Sequence, residues 1–308
     1  MTVHRSRSAL IGASFCFASA AAFSFKSILI KIAYTYNVDA STLLTLRMGF
    51  ALPFFLAMAA WSGRHPQHVR LTRKQWAAIL ALGFSGYYLA SYLDFLGLQY
   101  ITASLERLTL FLYPTIVVIL SALIFKRRID AYQAFALALS YAGIVFVFIE
   151  NLSASGHDGG FWIGTGLVFG SAVLYSFYLI FSGEMVAEVG PMRFTAYAMS
   201  VACALTFIQF ALTHSAGALA LPKPVYGLSL VMATVSTVLP AWLMSEGLRR
   251  IGANQAALVG SIGPVITIVL GYTFLNEPMS VLQVFGAALV LAGVTLVTMK
   301  RSAVGPIE

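Results

Sequence analysis

Ten long apolar runs divide this chain, and short polar connections separate them. The runs cover residues 9–30, 41–61, 76–98, 103–124, 131–149, 161–182, 193–213, 225–247, 253–275 and 280–299. A helix needs about 20 residues to cross a hydrocarbon core about 30 Å thick, and each run is close to that length. The pattern therefore predicts an all-α integral membrane protein with ten transmembrane helices.

The composition supports this interpretation. Hydrophobic residues make up 59% of the 308 residues and charged residues only 10%, whereas soluble domains carry about 25% charged residues. So few polar residues cannot cover a soluble core of this size, and lipid must be the outer solvent. The two cysteines, Cys16 and Cys203, both lie inside apolar runs and do not indicate a disulfide framework.

The basic residues lie mostly on one side of the predicted membrane. The net charge is +8, but the cations lie in short connections rather than on a polar face, so we predict no nucleic-acid partner. Those on the side of the N-terminus are Arg5, Arg7, Arg64, Arg70, Arg73, Lys74, Lys126, Arg127, Arg128, Arg193, Arg249, Arg250, Lys300 and Arg301. Because cytoplasmic loops carry the excess of Lys and Arg, both termini are predicted to be cytoplasmic, in a multi-pass protein of the inner membrane.

The first apolar run has an alternative interpretation as a secretory signal peptide. Arg5 and Arg7 precede it, and the small residues at 18–22 are typical of a cleavage region. We favour a transmembrane helix because the apolar run continues past the small residues, and because cleavage would break the repeat described next.

The chain aligns with itself, which predicts an internal duplication. With a shift of 150 residues and no gap, Gly97 falls on Gly247, Ile101 on Ile251, Pro114 on Pro264, Gln133 on Gln283 and Gly143 on Gly293. Upstream the shift becomes 152, and Ser19 falls on Ser171 and Ser24 on Ser176. We therefore predict two five-helix repeats, residues 1–150 and 151–308. Five is an odd number, so the second repeat must enter the membrane in the opposite orientation to the first.

Inverted repeats are the architecture of secondary transporters, which hold a small-molecule substrate near the bilayer midplane between the two halves. One fold in two orientations gives two conformations of similar energy, and exchange between them opens the site to alternate sides. A duplicated protein with a structural or sensory role is the alternative, and it would move no solute.

The second repeat resembles a known family of transporters. Its motif residues are Gly247, Leu248, Ala253, Pro264, Asn276, Glu277, Pro278, Gln283, Gly286 and Gly293. With Pro114 in the first repeat, they resemble the ten-helix EamA branch of the drug/metabolite transporter superfamily. The first repeat departs from this pattern, with Arg127 in place of Glu277 and Ala136 in place of Gly286. The resemblance implies export, or in some members import, of amino acids and related metabolites. It also implies proton antiport, exchange or facilitated diffusion, without an ATP-hydrolysing subunit.

Ionisable residues inside the apolar runs are functional candidates, because a charge near the bilayer centre costs about 3 kcal/mol or more. One layer in the outer third of the membrane, all in the first repeat, holds Lys26, Arg47, Asp94, Glu106 and Arg107. Their equivalents in the second repeat are Tyr178, Met199, Met244, Ala256 and Ala257. A further residue, Glu246, is predicted to pair with Arg249 or Arg250 at the cytoplasmic interface.

Our hypothesis is that this layer is an outer gate joined to the substrate site. Lys26 or Arg47 would pair with Glu106 or Asp94 when the outer side is closed, and substrate charge or a proton would break the pair. Burial among apolar residues favours the neutral form of a carboxylate, which suits proton exchange. The alternatives are that Arg107 and Lys26 extend to the outer headgroups, and that Arg47 and Asp94 form a structural ion pair.

Aromatic residues form a second candidate site. The candidates for the lining of a central cavity lie within the apolar runs. They are Tyr88, Tyr113, Tyr175, Tyr178 and Trp242. Inward-facing tyrosines would line a cavity with apolar walls and hydrogen-bond donors, which suits an amphipathic solute or an ammonium group. The alternative is a belt at the membrane interfaces, which we favour for Tyr34, Tyr36, Trp61, Trp76 and Trp162.

Pro114 and Pro264 lie inside the fourth and ninth predicted helices. Each proline removes a backbone hydrogen bond and frees a carbonyl. The resulting kinks are candidate hinges for the conformational change, although plain packing kinks fit the pattern equally well.

The sequence contains no P-loop, no GxSxG and no HExxH motif. His65 and His68 form an HxxH in a short connection that offers no further ligand, so we predict no metal site, no cofactor and no enzymatic activity. The predicted function is a secondary transporter that exports amino acids or related small metabolites by alternating access. A complete ten-helix unit can work as a monomer. An importer or exchanger of the same fold is the alternative within the transporter class.

Overall fold

The computed structural model describes residues 2–63, 71–126, 128–154 and 159–303, and the regular structure in these ranges is helical. The α-helices are α1 (Thr2–Tyr34), α2 (Ala40–Gly63), α3 (Arg73–Leu82), α4 (Ala90–Gly97), α5 (Ala103–Leu110), α6 (Tyr113–Ile124), α7 (Ala131–Ala154), α8 (Gly159–Val189), α9 (Pro191–Thr213), α10 (Lys223–Ala233), α11 (Leu239–Gly260), α12 (Gly263–Leu275) and α13 (Val281–Ala303). A short 3₁₀ helix, Ala216–Leu219, precedes α10.

Eight helical stretches within the described ranges are long and apolar enough to cross a membrane. They are Leu10–Tyr34, Ala40–Ser62, Arg73–Gly97, Ala103–Ile124, Ala131–Asn151, Gly159–Gly183, Pro191–Thr213 and Lys223–Met244. Two shorter apolar helices, Gly263–Leu275 and Val281–Leu296, follow them. These segments correspond in order to the predicted runs. The prediction of an all-helical membrane protein is therefore confirmed, and ten crossings fit the structure.

Hydrogen bonds near the helix ends divide the connections into two groups. Thr102, before α5, donates from its hydroxyl to Asn151 near the end of α7, at 3.0 Å. Gln75, at the start of α3, instead donates to Glu188 near the end of α8, at 2.9 Å. The first pair joins the connections after the third and fifth crossings, and the second joins those after the second and sixth. Connections after odd-numbered crossings therefore lie together, and so do connections after even-numbered crossings. This grouping is what ten alternating crossings require.

Close contacts at glycines occur as matched pairs. A Cβ on Gly12 of α1 would stand 2.6 Å from Cγ2 of Ile251 in α11. A Cβ on Gly164 of α8 would stand 2.9 Å from Cγ2 of Ile101, just after α4. The two contacts are related by the shifts of 152 and 150 residues that align the sequence with itself. Small residues allow such close approach of helices, which drives their packing in lipid.

Serine hydrogen bonds repeat the same relationship. Ser19 of α1 donates to the carbonyl of Pro240 in α11 at 2.8 Å, and Ser171 of α8 donates to the carbonyl of Ala90 in α4 at 2.7 Å. In both cases the first helix of one half of the chain holds the third helix of the other half. The two halves therefore pack together through helices of both halves and do not form two separate bundles.

Two π-helical segments interrupt the third and eighth crossings at equivalent places. Gly83–Leu89 joins α3 to α4, and Thr234–Val238 joins α10 to α11. A π-helical turn carries an extra residue and re-aims the side chains that follow, and such turns are frequent at functional sites. The hydropathy pattern had predicted regular helices here.

Helix α11 covers the predicted end of the eighth crossing and the predicted start of the ninth. Gly12 contacts Ile251, whereas Ser24, further along α1, donates to the carbonyl of Gly263 at 3.0 Å. Since α1 and α11 run antiparallel, a straight continuation would carry Gly263 about 18 Å beyond Ile251 and away from Ser24. The chain therefore turns back between Ile251 and Gly263, as two separate crossings require.

The fourth and ninth crossings are each broken by a two-residue turn. Phe111 and Leu112 separate α5 from α6, and Ser261 and Ile262 separate α11 from α12. The two prolines predicted to kink continuous helices, Pro114 and Pro264, instead stand in the first turn of α6 and α12. Proline is favoured there because the first helical N–H groups have no intrahelical acceptor.

Candidate functional site

A buried ionic network connects α1, α4 and α5. Nζ of Lys26 on α1 lies 2.6 Å from Oδ2 of Asp94 on α4 and 3.4 Å from Oε1 of Glu106 on α5. The hydroxyl of Ser27 donates to Oε2 of Glu106 at 2.6 Å. Three of the predicted gate residues are thus brought together, and one lysine binds two carboxylates from different helices.

Burial makes this network costly to break. Lys26 is 5% exposed, Asp94 3% and Glu106 0%. Removing one partner of a buried ion pair leaves an uncompensated charge in a low-dielectric interior. The second oxygen of Asp94, Oδ1, has no hydrogen-bond partner within the described ranges. The two carboxylates therefore enclose Lys26, and Oδ1 of Asp94 is an acceptor that no described residue uses.

Arg47 of α2 lies beside the network but binds a different partner. Its Nε donates to the hydroxyl of Thr237 in the second π-helical segment at 3.1 Å, and its guanidinium lies 5.4 Å from the ring centre of Phe95. Among the residues that the structure describes, Arg47 forms no ion pair, and Asp94 pairs with Lys26. The alternative of a direct Arg47–Asp94 ion pair is therefore not observed.

Arg107 of α5 points into the protein and not toward the outer headgroups. Its side chain is only 8% exposed. The guanidinium lies over the ring of Phe23, 4.6 Å from the centroid, and Nη2 is 2.8 Å from the position that a Cβ on Gly263 would take. The alternative in which Arg107 extends to the membrane surface is not observed, because α1 and α12 cover its side chain.

A chain of aromatic side chains links α6, α8 and the first π-helical segment. The rings of Tyr113 and Tyr175 lie 5.3 Å apart, and those of Tyr175 and Tyr178 lie 5.7 Å apart. The hydroxyl of Tyr178 forms a 2.8 Å hydrogen bond with that of Tyr87. Three predicted cavity residues therefore lie together. Tyr87 completes the group because the π-helical turn aims it at α8.

The other two predicted cavity residues lie elsewhere. Tyr88 donates to Oε1 of Gln209 on α9 at 3.1 Å, on a different side of the π-helical segment from Tyr87. Trp242 is 58% exposed and lies near Phe15, with ring centroids 6.1 Å apart. The structure does not place these two residues with the tyrosine chain.

Comparison with known proteins assigns this arrangement to a family. The sequence model of the EamA-like transporter family matches the chain twice, over residues 10–149 and over residues 162–299. The two matches together span most of the chain.

The chain belongs to the EamA-like transporter family.

Curated relatives that are named transporters match the chain over most of their length. The uncharacterized transporter YcbK of Bacillus subtilis (strain 168) is 32% identical over 285 residues, which cover 91% of this chain and 90% of that protein. The uncharacterized transporter YyaM of the same organism is 26% identical, covering 72% of this chain and 73% of YyaM. An uncharacterized transporter of Archaeoglobus fulgidus is also 26% identical, with coverages of 75% and 81%. Transport is the general function that these relatives support.

A solved crystal structure has the same fold. It aligns with a TM-score of 0.62 at 17% sequence identity and covers 96% of this chain and 98% of that chain. At this level of identity the likeness shows the fold alone. The helical arrangement that brings Lys26, Asp94 and Glu106 together therefore belongs to a fold that is already known from a solved structure.

Glu277 supports the site of this EamA-like transporter from the connection before α13. Its carboxylate accepts hydrogen bonds from the backbone N–H groups of Ala103 and Ser104, at 2.7 and 3.1 Å, and from the Ser104 hydroxyl at 2.7 Å. A carboxylate is favoured at a helix N-terminus, and α5 carries Glu106 and Arg107. The sequence had indicated Glu277 only as a motif residue, without this role.

Most of the residues predicted for the interface belts are exposed. Tyr36 is 38% exposed, Trp61 67%, Trp76 41% and Trp162 57%. Tyr34 differs, because its hydroxyl donates to the carbonyl of Phe95 at 2.6 Å and so joins α1 to the end of α4. Tyr34 is therefore a packing residue behind the ionic network.

Glu246 lies away from the network and pairs locally. Its Oε1 accepts from Nη2 of Arg250 at 2.7 Å, one helical turn later in α11. The side chain of Arg249, the other predicted partner, lies outside the described residues, as do His65, His68 and Arg127.

Proposed function

We propose that this protein is a secondary transporter that exports amino acids or related small metabolites across the cytoplasmic membrane by alternating access. Both termini are cytoplasmic in this proposal, and one chain forms the working unit. The observation that carries it is the buried network in which Lys26 binds Asp94 and Glu106 across three helices. Stable folding alone does not need such an arrangement, since well-packed apolar residues often stabilise as much as a buried ion pair.

Two inverted repeats, residues 1–150 and 151–308, provide the motion. The matched hydrogen bonds, Ser19 to Pro240 and Ser171 to Ala90, support this part of the proposal, because each is the repeat equivalent of the other. The interrupted fourth and ninth crossings also support it, since broken helices at the repeat interface are typical of substrate sites in transporters. Exchange of the two repeat conformations then opens the central site to alternate sides.

The ionic network is the outer gate, and it is closed in this conformation. Opening requires that Lys26 separate from Asp94 or Glu106. A proton on Glu106 removes one of the two negative charges that hold Lys26, and a charged solute competes for the same groups. Either event lowers the energy of the outward-open state relative to the closed one.

The cytoplasmic side has a gate of a different kind. Three network residues, Lys26, Asp94 and Glu106, have the repeat equivalents Tyr178, Met244 and Ala256, none of which is charged at neutral pH. Tyr178 instead forms the hydrogen bond to Tyr87 within the aromatic chain. Opening inward therefore breaks neutral contacts, whereas opening outward breaks ion pairs. This asymmetry makes the outward step the one that depends on protons or on solute charge.

Flux measurements in liposomes test this proposal. Purified protein is reconstituted with radiolabelled L-amino acids inside, and efflux is followed at several external pH values. We expect efflux of at least one amino acid, slower and less dependent on pH in Glu106→Gln. The control is Glu246→Gln, which lies outside the network and should keep both the rate and the pH dependence.

The alternatives give different results in the same assay. Unchanged efflux and unchanged pH dependence in Glu106→Gln would remove the gate hypothesis. Uptake without efflux, or flux only against a counter-solute, would identify an importer or an exchanger. A wild-type protein that moves no solute in either direction would contradict transport and favour a sensory or structural role.

A further inference from the structure

Within the described ranges, Arg107 is a buried charge with no carboxylate in direct contact. The side chain is 8% exposed, and its buried Nε has no hydrogen-bond acceptor in the part of the chain that the structure describes. The ring of Phe23 covers the guanidinium at 4.6 Å. A cation–π contact covers the face of a guanidinium but accepts none of its N–H groups, which lie in its plane. These donors therefore remain for another group.

The buried carboxylates around Arg107 bind other groups. Asp94 and Glu106 bind Lys26, and Glu277 accepts hydrogen bonds from Ala103 and Ser104. An unpaired charge is unfavourable inside a membrane protein. A carboxylate on a bound solute would supply the partner that Arg107 lacks among the described residues.

The start of α12 lies against the guanidinium. Nη2 of Arg107 is 2.8 Å from the position of a Cβ on Gly263, so any side chain at this position would displace Arg107. Gly263 begins α12, which runs to Leu275. The first N–H groups of a helix and its dipole favour an anion. Arg107 and the α12 N-terminus thus present positive charge to the same place.

The aromatic chain reaches this place as well. Arg107 lies near Tyr113 and Tyr175 on one side, and next to Glu106 on the other. It therefore stands where the ionic network meets the tyrosines. A solute that binds here would meet a cation, hydroxyl groups and aromatic faces together.

We propose that Arg107 binds the carboxylate of the transported solute, with the N-terminus of α12 as the second source of donors. This inference rests on the proposed transport function and narrows its substrates to molecules that carry a carboxylate, such as zwitterionic amino acids. Phe23 and the neighbouring tyrosines contact the less polar part of the solute. Gly263 is required because the guanidinium occupies the space beside its Cα.

Thermal unfolding of the full-length protein in detergent tests the carboxylate requirement. The probes are the standard L-amino acids, each compared with its α-carboxamide, which has the same side chain but no carboxylate. We expect the unfolding midpoint to rise with at least one free acid and not with its amide. Arg107→Gln should weaken binding of that acid by about 10- to 100-fold, as expected for loss of a charge-assisted bidentate contact. Arg107→Lys keeps the charge and should lose less.

A second variant perturbs the same site without changing any charge. Gly263→Ala places a methyl group 2.8 Å from the present position of Nη2 of Arg107, so the guanidinium must shift and binding of the acid should weaken. Its matched control is Gly166→Ala, because a Cβ on Gly166 would meet no atom within 4 Å. For the arginine variants the control is Arg250→Gln, because Arg250 lies in the middle of α11 and pairs with Glu246 outside the site. Both controls should bind the acid as the wild type does.

The outcomes separate this inference from the proposed function. It is overturned if acids and amides bind equally, if no probe shifts the midpoint, or if Arg107→Gln still discriminates between acid and amide. A wild-type protein that moves only solutes without a carboxylate in liposomes also overturns it, while transport stands. Acid binding that depends on Arg107 in a protein that moves nothing supports the site and contradicts the transport function.

Discussion

The ammonium group of Lys26 lies 2.6 Å from Oδ2 of Asp94, and this contact joins α1 to α4 inside the protein. The same ammonium group lies 3.4 Å from Glu106 on α5. Lys26 is 5% exposed, so solvent compensates little of the charge on either side of the contact. The packing of α1 against α4 and α5 therefore depends on one side chain, and so does the proposed gate.

Replacing Lys26 alone should destabilise the protein more than replacing Lys26 and Asp94 together. Lys26→Met leaves two buried carboxylates without their cation, which we expect to lower the free energy of unfolding by about 3–5 kcal/mol. The double variant Lys26→Met, Asp94→Asn removes one of these charges and should recover part of the loss. Thermal unfolding of the purified variants, combined as a double-mutant cycle, measures the coupling.

The control for this cycle is the pair Glu246–Arg250, which is partly exposed. Arg250→Gln should cost less than about 1 kcal/mol, because exposed ion pairs contribute little. Additive effects of the Lys26 and Asp94 substitutions would contradict the structure, since additivity is expected only for residues that do not touch.

Cysteines introduced at equivalent positions of the two repeats should react with a thiol reagent from opposite sides of the membrane. Tyr36 and Glu188 are exposed and are related by the shift of 152 residues. In a background in which Cys16 and Cys203 are replaced by Ala, Tyr36→Cys should react with a membrane-impermeant maleimide in intact cells. Glu188→Cys should react only after permeabilisation. Labelling of both cysteines from the same side would contradict inverted repeats.

Much of the fold was predictable because its main signals are local. The apolar runs depend on length and composition, and the shift of 150 residues that pairs Ile101 with Ile251 is visible in the letters. The π-helical segments were not predictable in this way. Gly83–Leu89 contains ordinary helix-compatible residues, and its extra residue per turn is stabilised by contacts with α8 and α9 that no local pattern specifies.

The site was predictable in part. Depth along each helix placed Lys26, Asp94 and Glu106 in one layer, and the structure brings these three together. Depth left two alternatives open for Arg107, because a cation one turn from a helix end can extend to the headgroups unless neighbouring helices cover it. The role of Glu277 depends on the approach of its connection to α5. Asn276 turns the chain there in a left-handed conformation, with φ of 53°.

Removing the charge of Glu277 should weaken the outer end of α5. Its carboxylate accepts three hydrogen bonds from Ala103 and Ser104, and Gln offers only one acceptor oxygen for them. We expect Glu277→Gln to lower the free energy of unfolding by about 1–3 kcal/mol. It should also slow flux, since α5 carries Glu106 and Arg107. Thermal unfolding and liposome flux measure the two effects, and Glu188→Gln is the control. Normal stability together with normal flux would contradict a supporting role for Glu277.

A methyl group at the contact between α7 and α13 should be destabilising in both repeats. A Cβ on Gly143 would stand 2.5 Å from the carbonyl oxygen of Gly286, and a Cβ on the equivalent Gly293 would stand 2.6 Å from that of Ala136. These neighbours are backbone atoms, so the helices themselves must separate. We expect Gly143→Ala and Gly293→Ala each to cost about 1–3 kcal/mol, or more. Gly166→Ala, with nothing within 4 Å of its Cβ, should be neutral. Thermal unfolding of the three variants measures this, and a loss in only one of the two equivalent positions would contradict the matched packing of the halves.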